Sequence, residues 1–498
     1  MVDNNLKIFA IRVEKGSFKQ KDHFYEKVLA NNRAHSLMNK FFDMTIDNMI
    51  DRYCILNPKC DRLKLNEYLN YRTKYFKWAG TDLFNVIDNE SGKRQMLLIE
   101  TNTCPSGIKS MPFIDSCQIY GGYKYLIESV LNDFNELNDD DVDGDLAILY
   151  DQNKMESSAY STMMAELTDQ NVWLLEYTDD NCEAIKWEND GYMYVKDNNN
   201  EWHRIKGCLR YVTKKPWIKI PVNSKTKVIN PVLACLAGGR NKIMANYAYD
   251  KFNKELIENN SGLSIRLPYS LINVNKNEIP NLLENDLRLN GKAVVKVPYA
   301  NCGQGVYTIL NKHELDLFMK DNHKYDKFII QSLIGEHSWS KNEQQYYHIG
   351  TVPDENNNVF VFDLRMIVTS DKNGFRPVSM NCRRARKPLT KDLSNLDQGI
   401  SSWDMLGTNL SIKLGKTGMD TDPERLLIMD NNDFNTLGLG IDDLIDAYIQ
   451  TILSVISIDK MCIELFDESN DQNKFNVDLF RQLNPDESLL NEIRHHDT

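Results

Sequence analysis

The 498-residue chain has no apolar run close to the ~20 residues that a membrane-spanning helix needs. Its first seven residues lack the cationic and apolar blocks of a signal peptide. Its 10 cysteines include no Cys-x-x-Cys pair, and His-x-His and His-Glu-x-x-His are also missing, which disfavours a zinc site or a disulfide framework. These absences predict a soluble, reduced, cytoplasmic chain without a membrane partner.

Positive charge is scarce as well. Lys and Arg total 59 against 71 Asp and Glu, a formal net charge of −12, and no long Lys/Arg run occurs. This balance argues against nucleic acid as a partner, because phosphate neutralisation needs local positive charge. It leaves open a small anionic ligand in a local basic pocket. The length predicts two to four lobes.

The order of periodic segments predicts a mixed α/β chain. Apolar spacing favours helices through residues 1–75, a hairpin over 81–102 and a helix over 123–137. The acidic run at 138–144 indicates a linker. Beyond it strands alternate with helices, which is typical of a small α/β lobe. The tail predicts a helix over 442–456 and a hairpin of 461–466 with 477–483.

A lysine at the end of an apolar strand precedes a loop that contains glycine. The segment runs through Lys296 to Gly303 and Gly305, and a second strand follows. Glycines let backbone N–H groups approach phosphate oxygens, and an ammonium on a strand neutralises them. The segment is neither a Walker loop nor a dinucleotide fingerprint. It predicts phosphate binding, with a plain hairpin and an incidental lysine as the alternative.

The early hairpin carries Asp82, Glu100 and Asn102. Glu100 and Asn102 are two apart on a strand and project to one face, and a five-residue turn at 89–93 places Asp82 opposite Glu100. Facing carboxylates repel, and a magnesium ion would turn that repulsion into shared coordination, with Asn102 adding a neutral oxygen. The alternative is an edge strand whose polar residues face water.

The segment after this hairpin, Cys104-Pro-Ser-Gly, ends the strand and suits a loop over a substrate. We expect Thr103, Ser106 and Arg210 to contact that substrate.

Basic residues are concentrated at a few positions. Arg240 and Lys242 open a predicted helix, and a helix start with added cations favours an anion. Arg365 lies on a predicted strand, and the densest basic cluster spans 383–387. Arginine binds carboxylate and phosphate oxygens bidentately, while structural salt bridges remain the alternative for part of this set.

Together and in this order, the motifs resemble the ATP-grasp superfamily, and specifically eukaryotic-type glutathione synthetase. That branch is circularly permuted and carries its metal hairpin early, as residues 81–102 do here. The segment 230–242 is similar to its phosphate-binding segment, 294–305 to its glycine-rich lid, and 328–334 to the hinge strand that pairs with adenine. The resemblance covers roughly residues 75–390.

The resemblance implies an α/β (α+β) class and an ATP-grasp fold, with a small α/β substrate lobe and a helical N-terminal region. We expect residues 1–143 to contain the helices and the metal-binding hairpin, and 144–235 the substrate lobe. Residues 236–400 would form the nucleotide-binding and lid region. Residues 401–498 would supply a helix and a hairpin that complete or extend the core.

The resemblance also implies ATP and Mg²⁺ as cofactors, and a role for each motif residue. Magnesium would bind Asp82, Glu100 and Asn102. The nucleotide would be held by Arg240, Lys242, Lys296, Asn301, Gly303, Gly305, Gln331 and Leu333. Arg383 or Arg384, with Arg365, would stabilise the phosphoryl group as an acyl-phosphate forms.

The chain departs from the family pattern in three places. Asn301 stands near the position of a metal-binding Glu in the lid, and residues 151–160 lack the family's substrate pattern, so glutathione is not expected as the product. The tail offers a competing metal hairpin with Glu464 and Asn484, where Gln482 replaces the usual second carboxylate. The early hairpin is favoured because a charged oxygen binds magnesium better than an amide.

The sequence therefore predicts an ATP- and magnesium-dependent carboxylate–amine ligase that joins small amino-acid-like molecules through an acyl-phosphate. A catalytically impaired ATP-binding regulatory protein and a ligase that adds amino acids to a protein are the alternatives. The acidic surface argues against acidic tails as acceptors. The sequence leaves open which acid and amine are joined and whether the chain forms a homodimer.

Overall fold

The computed structural model describes residues 9–30, 33–114, 119–136, 143–178, 182–213, 220–299, 305–323, 325–339, 344–393, 396, 401–414, 418–467 and 474–485. The predicted linker at 138–144 falls almost wholly outside them. Among the described residues, no helix is both long and apolar enough to cross a bilayer.

The helices in chain order are α1 Gln20–His23, α2 Glu26–Ala30, α3 Ser36–Phe42, α4 Ile46–Leu56, α5 Arg62–Leu69, α6 Gly122–Asn135, α7 Lys154–Leu167, α8 Val232–Ala234, α9 Lys242–Glu258, α10 Ile279–Asn285, α11 Lys312–Lys320, α12 Ser402–Leu406, α13 Asn431–Leu437, α14 Ile441–Leu465 and α15 Val477–Leu483. The predicted early helices, the helix near 123–137 and the helix start at Lys242 are confirmed.

The strands are β1 Ile11–Val13, β2 Trp78–Asp88, β3 Arg94–Thr103, β4 Asp145–Tyr150, β5 Val172–Glu176, β6 Ile185–Trp187, β7 Met193–Lys196, β8 Trp202–Tyr211, β9 Lys227–Ile229, β10 Ser270–Asn275, β11 Ala293–Lys296, β12 Val306–Ile309, β13 Lys327–Ser332, β14 Tyr346–His348, β15 Phe362–Asp371, β16 Gly374–Arg384, β17 Ser411–Leu414, β18 Gly418–Thr421, β19 Leu426–Leu427, β20 Phe466–Asp467 and β21 Lys474–Phe475.

The strands form three large sheets. The first has the order β1-β5-β4-β8-β7-β6, with β9 on β8, and its β4 pairs in parallel with β5 and β8. All its strands except β1 lie within residues 144–235, for which the sequence predicts a small α/β lobe. The second, β10-β13-β11-β12, is antiparallel. The third, β14-β2-β15-β16-β19 with β3 on β2, pairs the early hairpin with strands almost 300 residues later in the chain.

The early hairpin contains a bulge that sets the pairing of its polar residues. From Ile87↔Arg94 to Leu83↔Leu98 the ladder is regular, but the next pair is Asp82↔Glu100, so Ile99 is the extra residue. The expected opposition of Asp82 and Glu100 is confirmed, and it depends on this bulge. Without the bulge, the pairing that starts at Ile87 would place Asp82 opposite Ile99.

Helix α14 forms the centre of the largest apolar core. It is buried along most of its 25 residues and packs on β3, β15, α9 and the early helices. Its buried Asp459 accepts hydrogen bonds from the backbone N–H groups of Lys74, Tyr75 and Phe76. A helix from the end of the chain thereby fixes the segment that leads into β2.

The predicted C-terminal hairpin is wrong. Residues 461–465 are the last turn of α14, and 477–483 form α15. The short apolar run at 461–465 fits a strand in isolation, but Met461, Cys462 and Leu465 continue the apolar face of the helix above them and are buried with it.

Candidate functional site

A cavity of about 490 Å³ lies between the second and third sheets and extends to the first. This volume falls within the range of small-molecule sites. Most of its polar wall comes from the third sheet, where Glu100 of β3, Asp82 of β2, Arg365 of β15 and Asn381 of β16 are successive cross-strand partners. These side chains share one face because side chains alternate along a strand.

A second row of the same sheet lies beside the first. Phe84, Asp363 and Arg383 are successive partners on β2, β15 and β16, and all three line the cavity. The intervening Leu364 and Cys382 are fully buried on the other face.

Asp82 is held by two arginines. Arg365 donates to both of its oxygens, at 2.7 and 2.9 Å, and Arg383 approaches at 3.0 Å. Burial disfavours the charged carboxylate, but the two guanidinium groups outweigh it and hold the pKa of Asp82 below its usual range. Asp82 is therefore ionised and fully engaged.

Arg383 is fixed from a second side by Asp363, to which it donates from Nε at 3.0 Å. The Thr408 hydroxyl donates to the same carboxylate at 2.9 Å. The two arginines and two aspartates form a buried ion-pair network of zero net charge on the cavity wall.

Three further cations surround Glu100. Lys296 ends β11, and burial lowers its pKa to about 8, an effect that Glu100 partly offsets. The Lys242 ammonium lies 3.0 Å from a Glu100 oxygen. Helix α9 begins at Lys242 because the Asn241 side chain accepts hydrogen bonds from the N–H groups of residues 243 and 244. Arg240 lines the cavity just ahead of this cap.

Part of the cavity wall is apolar. Leu333, Phe84 and Ile99 line it, with Gln331 and His348 beside them, and the His348 ring lies 4.7 Å from that of Phe84. Burial lowers the pKa of His348 to about 3, so its imidazole is neutral at physiological pH. This part of the wall suits a flat, uncharged group.

A third part of the cavity reaches the loop after β3 and the first sheet. The Ser106 carbonyl accepts from Arg365 at 3.2 Å, and its hydroxyl accepts from Asn153 at 3.2 Å. Asn153 also binds the Lys109 ammonium and the Tyr211 hydroxyl, at 2.5 and 3.1 Å. The Asn153 amide also donates to the buried carboxylate of Glu156, which accepts from the N–H groups of Gly107 and Lys109 at 2.9 and 3.1 Å.

The cavity brings together most of the predicted site residues. Those that line it are Asp82, Glu100, Asn102, Thr103, Ser106, Arg240, Lys242, Lys296, Gln331, Leu333, Arg365 and Arg383. Asn301 and Gly303 lie outside the described residues. Gly305 is described, with a φ of +69°, but does not line the cavity.

Four predictions are corrected by the structure. Arg210 is fully buried and donates to the carbonyls of Asn230 and Val212, so it cannot reach a substrate in the cavity. Arg384, next to Arg383 on β16, projects to the other face and packs over the Phe360 ring at 4.6 Å.

The remaining corrections concern the competing metal hairpin. Glu464 sits on the exposed side of α14 and pairs with Lys251. Asn484 is buried after α15, where its oxygen accepts from Asn241 at 3.1 Å. Neither lines the cavity.

The described residues do not fit the predicted magnesium site. Magnesium prefers charged oxygens that are free to coordinate it, and both oxygens of Asp82 already bind Arg365. Glu100 is paired with Lys242 through one of its oxygens. The early hairpin thus presents its carboxylates to arginine and lysine.

Several lining residues were not predicted from the sequence. Asp363 could have been found, because it stands two before Arg365 on the same strand and shares its face. Lys109, Asn153 and His348 carry no local signal, and only the packing of the three sheets brings them to the cavity.

Several solved structures are similar to the chain, including the following two. One is a glutathione synthetase-like effector from Globodera pallida, with 10% identity, a TM-score of 0.39 and coverage of 72% of this chain and 85% of the other. The second is a RimK domain ATP-grasp protein from Sphaerobacter thermophilus, with 10% identity, a TM-score of 0.28 and coverage of 51% and 93%. No protein-family model and no curated protein matches the chain.

The mixed α/β sheets of this chain agree with the expected fold class. At these identities and TM-scores, neither match assigns an activity.

Proposed function

We propose that the chain is an ATP-dependent carboxylate–amine ligase of the ATP-grasp type, which joins small amino-acid-like substrates through an acyl-phosphate. The observation that carries the proposal is the convergence of distant motifs on one cavity. Residues of the early hairpin, the start of α9, the end of β11 and the β15–β16 pair all line it. Such convergence is what binding of one elongated ligand requires.

In this proposal, two parts of the cavity take the two ends of ATP. Gln331 and Leu333 flank the base at the apolar part of the wall. Lys296, Arg240 and Lys242 neutralise the phosphates, and Lys296 stands on a strand, so its position is fixed before the ligand arrives.

The chemistry would proceed in two steps. A carboxylate oxygen of the first substrate attacks the γ-phosphorus, forming an acyl-phosphate and releasing ADP. The amine of the second substrate then attacks the acyl carbon, and inorganic phosphate leaves. Arg365 and Arg383 would stabilise the charge on the transferred group, because Asp82 and Asp363 already hold both guanidinium groups in one orientation.

The test is ATP turnover with mixtures of amino acids and small acids, with products identified by mass spectrometry. Lys296→Met is expected to abolish ADP formation. Lys251→Met, which changes an exposed lysine paired with Glu464 outside the cavity, is the matched control and should retain it. Turnover that survives Lys296→Met would contradict the proposal.

The engagement of Asp82 favours a second candidate, an ATP-binding regulatory protein without turnover. This candidate requires ATP binding with no product from any substrate mixture. One ligation product verified by mass excludes it, and the mass of that product also separates a small acceptor from a protein.

A further inference from the structure

The described residues that line the cavity carry more positive than negative charge. Six are lysine or arginine and three are aspartate or glutamate, a formal excess of three positive charges. The cations are Lys109, Arg240, Lys242, Lys296, Arg365 and Arg383, and the carboxylates are Asp82, Glu100 and Asp363. Cations held together in a poorly solvated space repel one another, and an anion relieves that repulsion.

Each of the three carboxylates already contacts a cation of the protein. Arg365 and Arg383 bind Asp82, and Arg383 also binds Asp363. Glu100 is the most accessible of the three, with 32% of its side chain exposed, and its partner is Lys242. A divalent ion would have to displace an arginine to reach Asp82 or Asp363, and at Glu100 it would meet the Lys242 ammonium.

The position of Lys242 beside Glu100 is fixed by its backbone and by its side chain. Its backbone lies at the capped start of α9, where its N–H donates to the Pro298 carbonyl at 3.2 Å. Its side chain is only 12% exposed and ends 3.0 Å from Glu100. An ammonium group of the protein therefore stands where the early hairpin was predicted to bind magnesium.

We infer that the cavity binds its nucleoside triphosphate in the metal-free form, with Lys242 in the place of a divalent ion beside Glu100. This inference rests on the proposed function, since it specifies the form in which the nucleotide is bound. The metal-free triphosphate carries more negative charge than its magnesium complex, and so matches the charge excess of the cavity better.

The first experiment compares ATP binding to the full chain in EDTA and in excess magnesium, by calorimetry at constant ionic strength. The dissociation constant in EDTA should be no more than about threefold above that in magnesium. A larger weakening in EDTA overturns the inference and leaves the proposed function intact. Absence of ATP binding under both conditions contradicts both.

The second experiment uses Glu100→Gln, for which the two interpretations predict opposite signs. If Glu100 only pairs with Lys242, its neutralisation frees an ammonium for phosphate and tightens ATP binding in EDTA by about fivefold. The two interpretations differ in excess magnesium. A Glu100 that only pairs with Lys242 still gives tighter ATP binding when it is neutralised, whereas a Glu100 that holds magnesium gives weaker binding, which overturns the inference.

Glu464→Gln is the matched control. It removes the same charge from a glutamate that also pairs with a lysine, but outside the cavity, and it should leave both dissociation constants unchanged. An equal response of the two variants would show a general charge effect and would also count against the inference. The thermal midpoint of each variant checks that it is folded.

Discussion

At the scale of single residues, the charge state of Lys296 connects burial to ligand binding. Its pKa of about 8 means that its ammonium is lost within the range of ordinary buffers. We expect the affinity for ATP to fall as the pH rises through 8, measured by calorimetry from pH 6.5 to 9.5. Lys296→Arg should flatten this profile, because arginine stays charged. Parallel profiles for both proteins would contradict the assignment.

The same lysine has the opposite effect on stability. Between pH 8 and its ordinary pKa of 10.5, the unfolded chain keeps a proton that the folded protein has released. The contribution of Lys296 to the free energy of unfolding therefore rises with pH in this window, while ligand affinity falls.

Asp82 carries a second prediction at this scale. Asp82→Asn leaves the Arg365 and Arg383 charges uncompensated in a buried position, and should lower the free energy of unfolding by about 3 kcal/mol. Asp404→Asn is the control, because Asp404 pairs with a 45% exposed Arg386 and its loss should cost about 1 kcal/mol or less. Urea unfolding measures both; similar losses would mean that the network adds no stability.

Residue types and spacing were sufficient to select most of the charged residues that line the cavity. The shared face of Glu100 and Asn102 follows from strand alternation. The partners of the charges were not predictable, because Asp82 meets Arg365 only through a pairing between strands that are far apart in sequence. The sequence alone does not distinguish a carboxylate that pairs with arginine from one that binds a metal.

At the scale of secondary-structure elements, α14 is anchored to β2 through Asp459. Asp459→Ala would remove the acceptor for three backbone N–H groups, one buried and two partly buried, and we expect a loss of about 3 kcal/mol in the free energy of unfolding. Asp442 lies on the first turn of the same helix with 41% of its side chain exposed, and Asp442→Ala should lower the free energy of unfolding by about 1 kcal/mol or less. Equal losses in a denaturant titration would contradict the anchoring role.

Helix α14 also shows why the tail was predicted incorrectly. Its last turn is apolar and short, and periodicity alone does not separate such a run from a strand. Its helical state is decided by what surrounds it, since most of the helix is buried against β3, β15, α9 and the early helices. The strands around Lys296 were predictable because their flanking turns mark their ends.

At the scale of the whole molecule, the cavity joins three sheets built from all parts of the described chain. A ligand that bridges these sheets binds only the folded state, so ATP at a hundred times its dissociation constant should stabilise the protein by about 2.7 kcal/mol. Differential scanning calorimetry should show one transition that shifts upward with ATP. In Lys296→Met the increase of the unfolding temperature with ATP should be smaller or absent. An unchanged increase would mean that the nucleotide binds outside this cavity.

The bulge in β3 has a consequence for how the chain can vary. Ile99 and Glu100 are adjacent in sequence, yet both line the cavity, one on the apolar part of the wall and one among the cations. A regular strand would send neighbouring side chains to opposite faces. Deleting or inserting one residue of β3 next to the bulge would turn the side chains beyond that point to the opposite face of the sheet. We therefore expect length changes here to be more damaging than most substitutions.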